Sequence, residues 1–154
     1  VSRPNAFEDE PWDMEMERFA LRRRLVGRHA GADALGASVY ELDPGSPGFG
    51  LHAHYGMEEL FVVLSGTPTL RTGEGEEQLR PGDVVSCLPG LRGLHTFKND
   101  GDAPARILAI SNSVTPEVAI YPEWGKIGVA TRDPFEKPTG DDPGIVEMFD
   151  IPDN

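Results

Sequence analysis

With one cysteine, Cys87, the chain can form no internal disulfide, and nothing in its cysteine usage marks an oxidising compartment. Long apolar runs are missing too: none approaches the ~18 residues expected of a membrane-crossing helix, and residues 1–5 carry no signal-peptide pattern. The expectation is a cytoplasmic protein without membrane contact. Positive charge is scarce, with 14 Lys and Arg against 26 Asp and Glu, a formal net charge of −12 and a pI near 4.6. Such a surface repels phosphate backbones, which argues against nucleic acid as a partner. Seven of the acidic residues fall between positions 133 and 153 against the single Lys137, so much of the charge belongs to the tail. The basic exception, Arg22-Arg23-Arg24 with Arg28, reads as a solvated strand face or as a partner for nearby acids. Cys87, within Val84-Val85-Ser86-Cys87-Leu88, reads as a small buried residue.

What the chain has in quantity is turn chemistry. Its 18 Gly and 14 Pro make about a fifth of the 154 residues, which favours many short strands over long helices. Turn signals recur at Gly45-Ser46-Pro47-Gly48, Ser65-Gly66, Thr72-Gly73-Glu74-Gly75, Pro81-Gly82-Asp83, Pro89-Gly90 and Asn99-Asp100-Gly101-Asp102. Between them lie segments of strand length at 37–42, 59–64, 67–71, 77–80, 83–88, 94–98 and 105–111. This spacing predicts one all-β domain, a sandwich or barrel, over residues 17–130. Residues 1–16 read as a polar N-terminal arm, 19–26 as a strand, 121–129 as one more strand pair, and 131–154 as an extended acidic tail. The tail's Ile145, Val146, Met148, Phe149 and Ile151 are too apolar for a purely solvated segment, and docking on the barrel or a partner stands beside disorder. Leu60-Phe61-Val62-Val63-Leu64 is apolar at both parities, which predicts cover on both faces. A homodimer is the expected source of the outer cover, with a terminal segment of the same chain as the alternative.

Three of the four histidines fall in two short stretches, His52-Ala-His54 and His95. Along a strand, positions i and i+2 share a face, so His52 and His54 can offer two imidazoles to one ion. After Tyr55-Gly56-Met57 comes Glu58 or Glu59, of opposite parity, and parity alone leaves both open. His95 opens a strand after the turn-rich Pro89-Gly90-Leu91-Arg92-Gly93. Imidazoles with one carboxylate suit a first-row divalent metal.

These stretches resemble the two motifs of the cupin superfamily, Gly-x5-His-x-His-x3-4-Glu-x6-Gly and Gly-x5-Pro-x-Gly-x2-His-x3-Asn. His52, His54, Glu59 and Gly66 meet the first, which selects Glu59 over Glu58, although position 46 is Ser where the leading glycine belongs. Gly82, Pro89, Gly93, His95 and Asn99 supply the second with a loop slightly enlarged on either side of Pro89. Tyr121-Pro122-Glu123-Trp124-Gly125 and the residues up to 129 resemble a segment found in a group of small bacterial cupins. The resemblance implies a double-stranded β-helix, a jelly-roll-like barrel, with His52, His54, Glu59 and His95 converging on one divalent transition metal: Fe, Mn, Ni, Cu or Zn. Four protein ligands on an octahedral ion leave two positions for a small-molecule ligand in the barrel. A metal-dependent enzyme of dioxygenase, isomerase or decarboxylase type acting on a small polar molecule is expected, and a non-catalytic metal-binding or sensor module is the alternative. No separate catalytic acid or base stands out. Glu58 is the nearest candidate in sequence, and it also reads as a solvent-facing charge.

Overall fold

The computed structural model describes residues 3–8, 11–134 and 143–152. Each of the seven apolar segments between turn signals holds a strand. The described strands are β1 (Met14–Met16), β2 (Leu21–Arg24), β3 (Gly36–Leu42), β4 (Ala53–His54), β5 (Glu59–Ser65), β6 (Thr69–Thr72), β7 (Gly75–Gln78), β8 (Val84–Cys87), β9 (His95–Lys98), β10 (Ala105–Ser111), β11 (Glu117–Tyr121), β12 (Lys126–Ala130) and β13 (Val146–Asp150). All pairings are antiparallel. One sheet runs β1-β2-β3-β10-β5-β8, a second β13-β12-β11-β4 and a third β7-β6-β9. The two smaller sheets meet through a bridge in which the backbones of His52 and His95 exchange hydrogen bonds of 3.0 and 2.8 Å. Together they form the wall opposite the six-stranded sheet, and the molecule is the all-β double-stranded β-helix that the turn spacing and the motifs predict.

The period-2 rule resolves which face is the core. On β5 Phe61 and Val63 are buried while Leu60 is 39% exposed, so Glu59, which shares their parity, points inward. On β10 the inward set is Ala105, Ile107 and Ala109. Phe61, Val63, Ile107 and Ala109 form one contiguous core with Leu21, Leu42, Leu70, Leu79, Cys87 and Phe97. Each large one contributes about 1.5–3 kcal/mol through removal from water.

The segment 19–26 departs from the expected single strand. A 3-10 turn at Glu17–Phe19 ends on Ala20 in the left-handed region (φ 47°), β2 spans four residues, and a one-turn helix, α1 (Val26–His29), follows. The arginine cluster is correspondingly mixed. Arg22 pairs with Glu41 and Asp43, as its sequence context suggests, and Arg23 faces inward between Leu21 and Leu25, held by Ser38 and Asp133. Arg24 is only 2% exposed and is not solvated at all: on the outer face of the large sheet it donates to the carbonyl oxygens of Asn5 and Glu8, while Arg106 donates to that of Phe7. Residues 5–8 therefore lie across the outer face of the six-stranded sheet.

At the other end of the chain β13 pairs along the whole of β12, from Lys126↔Asp150 to Ala130↔Val146. The strand pair expected at 121–129 starts earlier: the β11–β12 hairpin runs from Glu117 to Ala130, and Pro122–Trp124 form the 3-10 turn that connects its strands. Among the described residues no helix is long and apolar enough to cross a membrane.

Candidate metal centre

His52 and His54 reach the barrel interior from the wall formed by the smaller sheets, and Glu59 comes from β5 of the large one. His95 lies beside His52 because the backbone bridge fixes their register, and the two rings are 4.6 Å apart between centroids. Nδ1 of His52 donates to the Gly50 carbonyl at 2.9 Å and Nδ1 of His95 to the Gly93 carbonyl at 2.8 Å. Both imidazoles thereby turn Nε2 away from the backbone. Nε2 of His95 lies 3.2 Å, and Nε2 of His54 3.4 Å, from Oε2 of Glu59. One ligand atom each from His52, His54 and Glu59 fall within 4.8 Å of one another. His95 is not in that trio, but it approaches the same carboxylate oxygen more closely than His54 does.

Glu59 Oε2 is buried, and neither of its two imidazole contacts, to His95 and His54, has good hydrogen-bond geometry, so the oxygen is incompletely satisfied. A carboxylate oxygen among imidazole nitrogens, desolvated and unsatisfied, is costly unless a cation completes it, and the donor set suits a divalent transition metal. The electrostatics agree. Burial pulls His52 down to about 3, helped by its two histidine neighbours, so its ring stays neutral. Burial opposes ionisation of Glu59, yet the bond to His95 and the surrounding imidazoles hold it at about 2. For His95 burial works against charge, and bonding to Cys87 and Glu59 outweighs it, raising the ring to about 10. The Glu59–His95 pair thus holds a proton where a metal would place its charge.

The loop before His95 is shaped by close approach. A Cβ on Gly93 would stand 1.8 Å from the Leu88 carbonyl oxygen, so only glycine lets the Leu91–Gly93 turn fold back on residue 88. Asn99, 1% exposed, closes the following turn: Nδ2 donates to the Leu42 and Ala103 carbonyls, and Oδ1 accepts from the Gly101 amide.

Residues 38–111 match the Cupin domain family. The match covers 74 of the 154 residues and takes in all four candidate ligands. No curated protein matches the sequence. Among solved structures, a sugar phosphate isomerase of the cupin superfamily from Silicibacter pomeroyi is 22% identical, with a TM-score of 0.74 over 93% of this chain and 84% of its own. A proposed sugar phosphate isomerase from Acidithiobacillus ferrooxidans is 25% identical, with a TM-score of 0.71 over 85% and 76%. The polyketide cyclase from Streptomyces resistomycificus is 21% identical, with a TM-score of 0.55 over 64% and 69%.

Above the histidines the barrel has a cavity of about 500 Å³, within the usual size of a small-ligand site. Apolar side chains, among them Phe49, Phe61, Phe97 and Ile107, wall it, and Tyr40, Tyr121 and Arg23 add polar groups. Tyr121 stacks on His52 on one side (centroids 5.6 Å apart, 17°) and on Trp124 on the other (4.9 Å, 6°). Burial, with the Glu59 charge nearby, pushes its phenol up to about 12, and burial raises Tyr40 as well. Both hydroxyls therefore keep their protons at neutral pH.

Glu58 lies elsewhere. Its parity with Leu60 carries it to the outside, where its carboxylate accepts from Ser86 Oγ at 3.3 Å, and it does not line the cavity. The solvent-facing alternative describes its position. The carboxylate that sequence reasoning missed is Glu117, at the start of β11, buried behind His54. Its one signal is an acidic residue sharing period-2 parity with Ala119 and Tyr121 on a buried strand face.

Proposed function

We propose that His52, His54, Glu59 and His95 hold one divalent transition metal and that this cupin is a metal-dependent enzyme of isomerase type, acting on a small hydroxylated carbonyl compound. The carrying observation is the Glu59 oxygen, buried between the His54 and His95 nitrogens without a well-formed hydrogen bond, at the floor of a ligand-sized cavity. A bound metal supplies Lewis acidity toward a substrate hydroxyl or carbonyl oxygen. The chain's own residues do the rest of the binding. The Tyr40 and Tyr121 phenols donate hydrogen bonds to substrate oxygens, and the apolar walls exclude water.

Two findings favour isomerisation of a phosphorylated sugar over oxygen chemistry. The first is the likeness to the Acidithiobacillus ferrooxidans structure, 25% identical over most of this chain. The second is the presence of three arginines, Arg23, Arg28 and Arg132, among the residues lining the cavity, arginine being the residue type best matched to phosphate oxygens. Metal analysis of the purified protein, followed by assays for aldose–ketose interconversion with and without the phosphate group and for O₂ uptake, tests the reading. Interconversion that is lost in His95→Ala supports it. O₂ uptake with the same compounds replaces it with an oxygenase, and binding without turnover across the panel replaces it with a binding module.

The cupin acts as a cytoplasmic homodimer in this reading. Leu60 and Val84 on the outer face of the large sheet, 39% and 60% exposed, are the cover-seeking residues. Leu60→Asp is expected to give a monomer by light scattering, and an unchanged mass would remove this face as the interface.

A further inference from the structure

The three histidines are not oriented alike. His52 and His95 each donate Nδ1–H to the carbonyl two residues earlier, Gly50 and Gly93. His54 does not repeat the pattern: the carbonyl two residues before it, that of His52, accepts the His95 amide at 2.8 Å instead. Its Nδ1 is buried without a well-formed hydrogen bond, and Oε1 of Glu117 stands 3.3 Å from it. We propose that Glu117 is the positioning residue of the metal centre, a buried carboxylate that accepts the His54 Nδ1 proton and so fixes Nε2 as the metal-binding nitrogen. The proposal rests on the reading that His52, His54, Glu59 and His95 hold a metal.

Several independent features place this carboxylate. The β11–β4 register sets Ala119 opposite His54, which puts Glu117 two residues along the same face. The Tyr55 and Gly56 amides donate to Oε1 at 3.1 and 3.4 Å, aiming the group. Space is reserved for it: a Cβ on Gly56 would stand 2.7 Å from Oε2, at a backbone conformation open to any residue. The remaining oxygen, Oε2, is buried with no hydrogen-bond partner, an expense that a merely structural glutamate has no reason to bear. A carboxylate behind a ligating imidazole makes it a stronger donor than a backbone carbonyl does, and it brings a second negative charge toward the ion. With Glu59 that makes two charges against a dication, a balance the carbonyl-backed histidines do not provide.

The test uses Co(II) as the probe with the full-length chain. Glu117→Gln keeps the size and loses the charge, and it is expected to bind Co(II) about 10–100-fold more weakly than the parent, with a shifted visible spectrum and an unchanged far-UV signal. Gly56→Ala, which displaces the carboxylate without touching a ligand, is expected to weaken Co(II) in the same direction and to add little in the Glu117→Gln background. Equal affinity and spectrum for parent and Glu117→Gln, with binding still lost in His95→Ala, would overturn the role of Glu117 alone. A parent that binds no Co(II) would overturn the metal reading with it. Should the variants not fold, nitrogen-15 spectra of the unsubstituted protein loaded with Zn(II) decide. A His54 Nδ1 proton further downfield than those of His52 and His95 supports a carboxylate acceptor. Metal on Nδ1 of His54, or a proton indistinguishable from the other two, counts against it.

Discussion

The two stretches that carry histidines into the cavity are built with different firmness. Residues 88–99 are gripped throughout. Gly93 is packed against the Leu88 carbonyl, His95 is 2% exposed, Thr96 is buried, and Asn99 ties three backbone groups together. Residues 50–59 have less of their own: β4 is two residues long, Tyr55 is 51% exposed, and His54 takes its orientation from a strand far along the chain. Residues 88–99 set the position of the floor, and residues 50–59 are brought to it by partners. A ligand set spread over both stays in register because one hydrogen-bonded bridge joins them.

The largest expected effect comes from deleting a group in the firm stretch. His95→Ala should reduce metal content from one ion per chain to near zero by mass spectrometry, a loss beyond the ~10–100-fold that removal of an outer partner costs. Retention of full metal would mean that the four-residue site is wrong. Next is the scaffold under it. Gly93→Ala forces a Cβ into the Leu88 carbonyl and should cost at least about 1–3 kcal/mol in denaturant unfolding. Asn99→Ala strands the buried carbonyls of Leu42 and Ala103 and should cost about 1–3 kcal/mol. At the soft end, Tyr55→Ala should stay within about 0.5 kcal/mol of the parent. If Tyr55→Ala were as damaging as Asn99→Ala, the contrast between the stretches would fail.

The pH dependence of the chelator-treated protein sharpens the same contrast. His95, raised from 6.5 to about 10 in the folded state against its burial by Cys87 and Glu59, contributes stability that is complete below 6.5 and lost as pH climbs through 10. His52, lowered by burial from 6.5 to about 3, acts oppositely: the unfolded chain takes up its proton first, so stability falls as pH drops from 6.5 toward 3. Glu59, held at about 2 by His95 and its neighbours although burial opposes it, adds a loss as pH falls from 4.5 through 2. From these three groups the Tm should peak near pH 6.5. Metal binding displaces the His95 proton, so metal affinity should rise with pH up to about 10, and a pH-independent affinity would rule out His95 as the competing proton site.

Much of the barrel was legible because glycine and proline punctuate it: turn chemistry is local, and strand ends followed from it. His52, His54 and His95 were legible as a group for the same reason, each sitting at a strand next to a marked turn. Glu59 was harder. Its parity with Phe61 and Val63 had two readings until the motif spacing chose one, and the burial of those two side chains agrees. Glu117 was out of reach, since its meaning depends on β11 pairing with β4, a register between distant segments that no local pattern encodes. The burial of Arg24 was hidden likewise. Its cover comes from backbone carbonyls, and those are the same in every sequence.

That cover has a practical side. A guanidinium under the surface, bonded through its two terminal nitrogens to peptide oxygens of Glu8 and Asn5, makes the barrel's outer wall dependent on residues 5–8, as a lid depends on its latch. Replacing or removing residues 5–8 would bare a cation and a strip of sheet that they keep from water, so this segment, far from the cavity, is one on which every stability measurement depends.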